Sequence, residues 1–156
     1  MAEEHQHIAA IVLLMQPHDD SREMYAEFFR HHHLTVWCPD DAAHALTLAP
    51  SADVVITGLW LPGTVDGYTL IQRLRADEQT REKPIIVLTS WAWQTDRLRA
   101  KEAGCDAFLT KPCLPGVLLR YVRRTVATSR LREVRGHDCT SPASESRQSH
   151  KRKRTT

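Results

Sequence analysis

Five short apolar runs, each bounded by turn residues or charge, recur along this chain at 8–15, 34–37, 54–57, 85–89 and 107–110, and a stretch with helical spacing follows each one. Runs this short and this rich in Val, Ile and Leu read as buried strands. After the first, Met24, Tyr25, Phe28 and Phe29 repeat at three- to four-residue intervals, which makes one apolar stripe on a helix expected to be capped by Ser21 and ended by His31, His32 and His33. Asp40 or Asp41 is expected to cap a second helix through Leu48. Tyr68, Leu70, Ile71 and Leu74 place a third between 66 and 76, and a fourth spans about 94–103, with Gly104 as its left-handed cap. A fifth starts near Pro115, a good first-turn residue, and continues through Leu118, Leu119, Val122 and Val126. Strict alternation of strand and helix requires right-handed crossovers between parallel strands, and hence a doubly wound α/β sheet covered by helices on both faces. Nearly continuous apolar strands fit that burial.

With 156 residues, 42% of them hydrophobic and 26% charged, the chain has the size and composition of one globular domain. Its longest apolar run is far shorter than the roughly 20 residues that span a bilayer. Glu3 and Glu4 precede that run, where a secretory leader carries positive charge. A cytoplasmic protein with no membrane contact is therefore expected. Cys38, Cys105, Cys113 and Cys139 lack paired spacing, which fits reduced thiols rather than a zinc site or a disulfide framework. Beyond Arg135 there is no Val, Ile, Leu, Met or aromatic residue, so burial cannot offset the entropy of ordering that segment. The expected organisation is a flexible N-terminus at 1–7, one domain at 8–130 and a disordered basic tail at 131–156. The run Lys151-Arg152-Lys153-Arg154 has no aromatic residue to stack on bases, so it reads as solubilising, and nucleic acid is not the expected partner.

Functional groups in open α/β sheets gather where strands end and their order reverses. At those points stand Asp53-Val-Val-Ile-Thr-Gly58-Leu-Trp-Leu-Pro62-Gly63, Asp66-Gly67, Pro84-Ile-Ile-Val-Leu-Thr89-Ser90 and Ala103-Gly104-Cys-Asp-Ala-Phe108-Leu-Thr-Lys111-Pro112. In order and spacing these segments resemble the receiver domain of bacterial two-component response regulators, from Ile8 to about Thr128. The resemblance implies a flavodoxin-like fold: a five-stranded parallel sheet with five helices in a three-layer sandwich. It also implies an aspartate after the third strand that takes a phosphoryl group from a histidine kinase, and two acids after the first strand that hold magnesium. A threonine and a lysine then grip the phosphoryl oxygens while an aromatic side chain changes rotamer.

Three of these positions match: Thr89, Lys111 and Phe108, the last expected to be buried. The phospho-accepting aspartate falls on Gly58, four residues before Pro62, and the magnesium acids fall on Gln16 and Pro17. Magnesium wants hard anionic oxygen, and none of the three supplies it. Asp19 and Asp20, a rival metal pair, read instead as first-turn carboxylates near a helix dipole. An extra residue in Gly63-Thr64-Val65-Asp66 should reshape the adjoining turn. Trp60 is expected to fill volume beside Gly58, Trp91 and Trp93 to form an interface, and the triple histidine to be a solvated helix end. Asp53, Asp66 and Asp106 match structural positions. The chain is thus read as a degenerate pseudo-receiver with no catalytic residue, metal or cofactor. It is expected to act through protein contacts with a histidine kinase, a response regulator or a downstream effector, including a homodimer through the face of the fourth helix, fifth strand and fifth helix. The alternatives are phosphoryl or small-anion binding at Thr89 and Lys111, and nucleic-acid binding by the tail.

Overall fold

The computed structural model describes residues 9–137, so residues 1–7 and the basic run at 151–154 lie outside the described residues. The elements are β1 (Ile11–Met15), α1 (Asp19–His31), β2 (Thr35–Trp37), α2 (Ala42–Leu48), a short 3-10 turn (Ala49–Ser51), β3 (Val54–Thr57), α3 (Gly67–Ala76), β4 (Ile85–Thr89), α4 (Gln94–Ala103), β5 (Ala107–Thr110) and α5 (Pro115–His137). All neighbouring strands are parallel, in the order β2-β1-β3-β4-β5. Five parallel strands and five helices therefore form the α/β sandwich that the alternation implies.

Both sheet faces are covered, and each strand feeds two cores. On one side Val12, Leu14, Ile56, Ile86 and Leu88 pack against Tyr25 and Phe29 of α1 and Leu118, Val122 and Val126 of α5. On the other, Leu13, Val55, Ile85 and Val87 meet Ala45 of α2, Leu70, Ile71 and Leu74 of α3, and Ala100 of α4. Side chains alternate across a strand, so a strand buried on both faces is apolar along its length, and in β3 and β4 only the last residue, Thr57 or Thr89, is polar. All four residues of β3 and all five of β4 are buried.

Caps follow the sequence closely, with one exception. The Asp41 carboxylate accepts from the His44 amide at 2.8 Å, and the Asp66 carboxylate accepts from the Thr69 amide at 2.8 Å. Gly104 ends α4 in the left-handed region at φ 117°. Ser21, however, does not cap α1. The helix begins earlier, after an extended His18 that makes no side-chain cap bond, and Asp19 and Asp20 occupy its first turn. Their charge favours that terminus and replaces the missing cap. At the other end His33 turns the chain at φ 65°, while His32 Nδ1 lies 2.8 Å from the Phe28 carbonyl oxygen.

Two boundaries also move. Strand β1 starts at Ile11, where pairing with Thr35 becomes available, rather than at residue 8. Helix α5 continues through 131–137, residues assigned by composition to the tail. Leu131 and Val134 there are exposed, so local propensity rather than packing extends the helix. Cys38, Cys105 and Cys113 are free, half-buried thiols.

Arg75 of α3 ties together the loop before β4 and the loop before β5. Its guanidinium donates to the Gly104 carbonyl at 2.9 Å, the Arg81 carbonyl at 2.7 Å, the Lys83 carbonyl at 2.6 Å and the Asp106 carboxylate at 2.8 Å. The same Asp106 oxygen accepts from the Ile85 amide at 2.8 Å, so the arginine fixes the start of β4 and β5 together. Asp53 does the equivalent for β1, accepting from the Ile11 amide at 2.7 Å. An arginine fork cannot be replaced by a lysine point charge. Arg75→Ala should lower the free energy of chemical unfolding by about 2 kcal/mol, the scale of charge-assisted hydrogen bonds lost at a half-buried site. Arg75→Lys should recover less than half of that loss.

Candidate functional site

The strand order reverses between β1 and β3, so their carboxyl ends open a crevice that β4 and β5 border. Gly58 extends the β1–β3 ladder by one bond, its amide donating to the Met15 carbonyl at 2.9 Å. Gln16 and Pro17 follow β1 directly. The Gln16 Nε2 donates across the crevice to the Leu88 carbonyl at 3.2 Å, and its Oε1 is buried without a partner among the described residues. A side chain on Gly58 would begin 3.2 Å from Pro17 Cδ and 3.9 Å from Gln16 Nε2. Amide and proline ring thus occupy the ground around Gly58.

A cavity of about 80 Å³ gathers Gln16, Pro17, Gly58, Thr89, Trp91 and Lys111 in its lining, together with Trp60. Thr89 is buried, and its hydroxyl accepts from the Trp91 amide at 3.1 Å, which fixes the turn leaving β4. The Lys111 amide donates to the Thr89 carbonyl at 2.8 Å, extending β5 beside β4, and a cis Lys111-Pro112 bond follows. The Lys111 ammonium makes no ion pair among the described residues. Burial alone lowers its pKa from the ordinary 10.5, with no carboxylate opposing the shift.

Two expectations fail here. Trp60 does not fill space beside Gly58; it is 61% exposed on the cavity rim, because the turn after β3 carries it outward. Phe108 is half-buried rather than buried, and the Arg97 guanidinium covers its ring 4.8 Å from the centroid. Phe108 and Trp93 stand outside the cavity lining. Trp91 and Trp93 are 54% and 68% exposed on the loop between β4 and α4.

The donor set does not fit the magnesium ion that the receiver resemblance implies. Such an ion requires hard oxygen ligands, usually carboxylates, and the positions after β1 and β3 offer a neutral amide, a proline ring and a glycine. Asp19 is no substitute, since its carboxylate is 82% exposed and held at 2.6 Å by Arg22.

Gly67, which the sequence marks only as part of the Asp66-Gly67 motif, is required by close backbone approach. Its amide donates to the Leu59 carbonyl at 2.8 Å, and a side chain at 67 would collide with the Gly58 carbonyl oxygen and, at 2.8 Å, with Leu59 Cα. The loop after β3 therefore folds back onto the first turn of α3. The Asp66-Gly67 pair was the available signal, a cap followed by a residue without Cβ. Nothing in the sequence signals that the Gln16 amide bridges β1 to β4.

The lowered pKa has a sign that can be tested. The unfolded chain binds the Lys111 proton up to a higher pH than the folded chain does, so stability rises as pH climbs from the depressed folded value toward 10.5. Lys111→Met should flatten that rise in denaturation curves measured across alkaline pH. It should also leave the unfolding temperature at neutral pH unchanged or higher, because a half-buried cation without a counter-ion is removed.

Comparison with known proteins places the chain in a family. The response regulator receiver domain model matches residues 12–123. The two-component response regulator ORR6 of Oryza sativa subsp. japonica is 31% identical over 114 residues, which cover 68% of this chain and 66% of that protein. Response regulator Rre1 of Synechocystis is 39% identical over 74 residues, 47% of this chain and 32% of its own length. This chain spans about a third of the length of the first curated relatives it matches. Among solved structures, a putative response regulator from Chloroflexus aurantiacus superposes with a TM-score of 0.71 at 29% identity, covering 77% of this chain and 99% of that one. The receiver domain of sensor histidine kinase PA1611 from Pseudomonas aeruginosa, crystallised with a magnesium ion coordinated in its active site cleft, gives 0.70 at 28% identity over the same shares. The fold, the crevice at the β1–β3 reversal and these matches agree, and the chain belongs to the response regulator receiver domain family.

Proposed function

We propose that this receiver domain transmits signals without accepting a phosphoryl group, acting through protein contacts in a two-component or phosphorelay setting. One observation carries the reading: the Lys111 ammonium has no carboxylate beside it, because Gly58, Gln16 and Pro17 stand where the receiver pattern places three acids. A phosphoryl acceptor needs an anionic oxygen to attack, and transfer needs a cation to offset the charge that develops. Glycine supplies no nucleophile. The crystallised kinase receiver that binds magnesium illustrates what the unaltered cleft holds.

Protein contact is supported by what remains on the surface. Trp91 and Trp93 are exposed on one loop, and Leu98 of α4 is 55% exposed beside them in the chain. Large aromatic side chains left in water are typical anchors of protein interfaces. A histidine kinase, another response regulator or a downstream effector would fit, and the domain would present a fixed rather than a phosphorylation-switched surface. Trp60, on the cavity rim, widens the aromatic surface toward β3.

Intact-mass measurement after incubation with magnesium and acetyl phosphate tests the reading. The native chain should gain no phosphoryl mass. The triple variant Gln16→Glu, Pro17→Asp, Gly58→Asp should gain one, since it restores the acceptor and both metal ligands and removes the Pro17 ring from the acceptor's side chain. A phosphoryl adduct on the native chain would overturn the proposal and favour an acid elsewhere working with Thr89 and Lys111.

A further inference from the structure

Helix α5 carries Arg120, Arg123, Arg124, Arg130, Arg132 and Arg135 against a single acid, Glu133. Arg130 is accounted for, donating to the Ala9 carbonyl at 2.7 Å and lying 3.7 Å from the Asp53 carboxylate. Arg120, Arg124 and Arg132 are exposed and form no ion pair among the described residues. Positions 120, 124, 128 and 132 lie one above another at four-residue spacing, so these arginines and Thr128 form one row along the helix. Like charges so placed repel each other. The row therefore costs stability unless something opposes it.

Two hollows run beside that row and share residues. Val117, Arg120, Tyr121 and Arg124 line the first, of about 430 Å³. Tyr121, Arg124, Thr128 and Arg132 help line the second, of about 360 Å³, which reaches to Glu82 and Asp106 at the start of β4 and β5. Together they make a groove with arginine forks along one wall and, in its middle, a tyrosine that is partly exposed.

We propose that this groove docks an acidic segment of a partner protein, one that places carboxylates about one helical turn apart and an apolar residue against Tyr121 and Val117. The proposal rests on the reading that the domain acts by protein contact, and it names the chemistry of one partner surface. The helix carries no lysine, and its six arginines have planar forks that pair with carboxylates through two parallel bonds. A second copy of this chain, docked row to row, would oppose the same charges. A nucleic-acid backbone would bring phosphates against Glu82 in the same hollow, whereas a peptide can leave that position neutral.

The test uses the full chain and a fluorescein-labelled peptide with Glu at every fourth position and Leu between, followed by anisotropy at about 0.15 M salt, where the Debye length is roughly 8 Å. Arg124→Gln with Arg132→Gln should weaken peptide binding about tenfold or more, the scale of lost charge-assisted bonds. The equal-charge control Arg73→Gln with Arg81→Gln, on other elements, should change it by about twofold or less, as screening at that salt requires. The basic run at 151–154 is present in every sample, so the difference isolates α5. Equal losses in the two variants, no binding by the native chain, or displacement of the peptide by an equal concentration of single-stranded DNA would each overturn the proposal. Trp91→Ala with Trp93→Ala should leave peptide affinity unchanged. Failure here would thus leave the phosphorylation-independent reading standing.

Discussion

Strand β3 sits between β1 and β4 with every side chain buried, and the rest of the domain is arranged around that placement. A strand covered on both faces needs helices on both sides, and right-handed crossovers leave only a few ways to supply them. The reversal of order at β1 and β3 then opens a crevice at their carboxyl ends. Gly58 lies at its base because the β1–β3 ladder ends there, not because of any local preference of glycine. The groups gathered around it come from the ends of three strands.

What distinguishes this receiver is how the crevice is filled. The Gln16 amide nitrogen donates to the Leu88 carbonyl, so this side chain braces β1 against β4. Pro17 approaches the space where an acceptor's side chain would start. Lys111 remains, partly desolvated, with its hydrogen-bonding capacity directed at no carboxylate. Gln16, Pro17 and Gly58 put no carboxylate into the crevice, and the exposed features of the surface are aromatic on the β4–α4 loop and cationic along α5.

Much of this was legible in the sequence. The four-residue apolar runs at 54–57 and 107–110 located their strands to the residue, since turn chemistry on both sides left no freedom. Gly104 named its cap and the Asp40-Asp41 pair narrowed another to two residues, because each residue type has one dominant use at a helix end, whereas Asp66 was expected only to mark where α3 begins. Ser21 misled for the same reason: a good capping residue lies two residues inside a helix that begins at Asp19 with acidic first-turn charge. The end of α5 was illegible because Leu131 and Val134 are helical without being buried, which composition alone reads as tail. Trp60 and Phe108 show the limit for single side chains. Their exposure depends on the direction of a turn and on Arg97 arriving from another helix, and neither is written in local spacing.

Amide spectra recorded while magnesium is titrated into the native protein address the central claim most directly, because the ion reports on anionic oxygens without relying on any phosphodonor. The account predicts that the resonances of Gln16, Gly58, Thr89 and Lys111 stay in place through millimolar magnesium. A saturable shift confined to those four residues would contradict it.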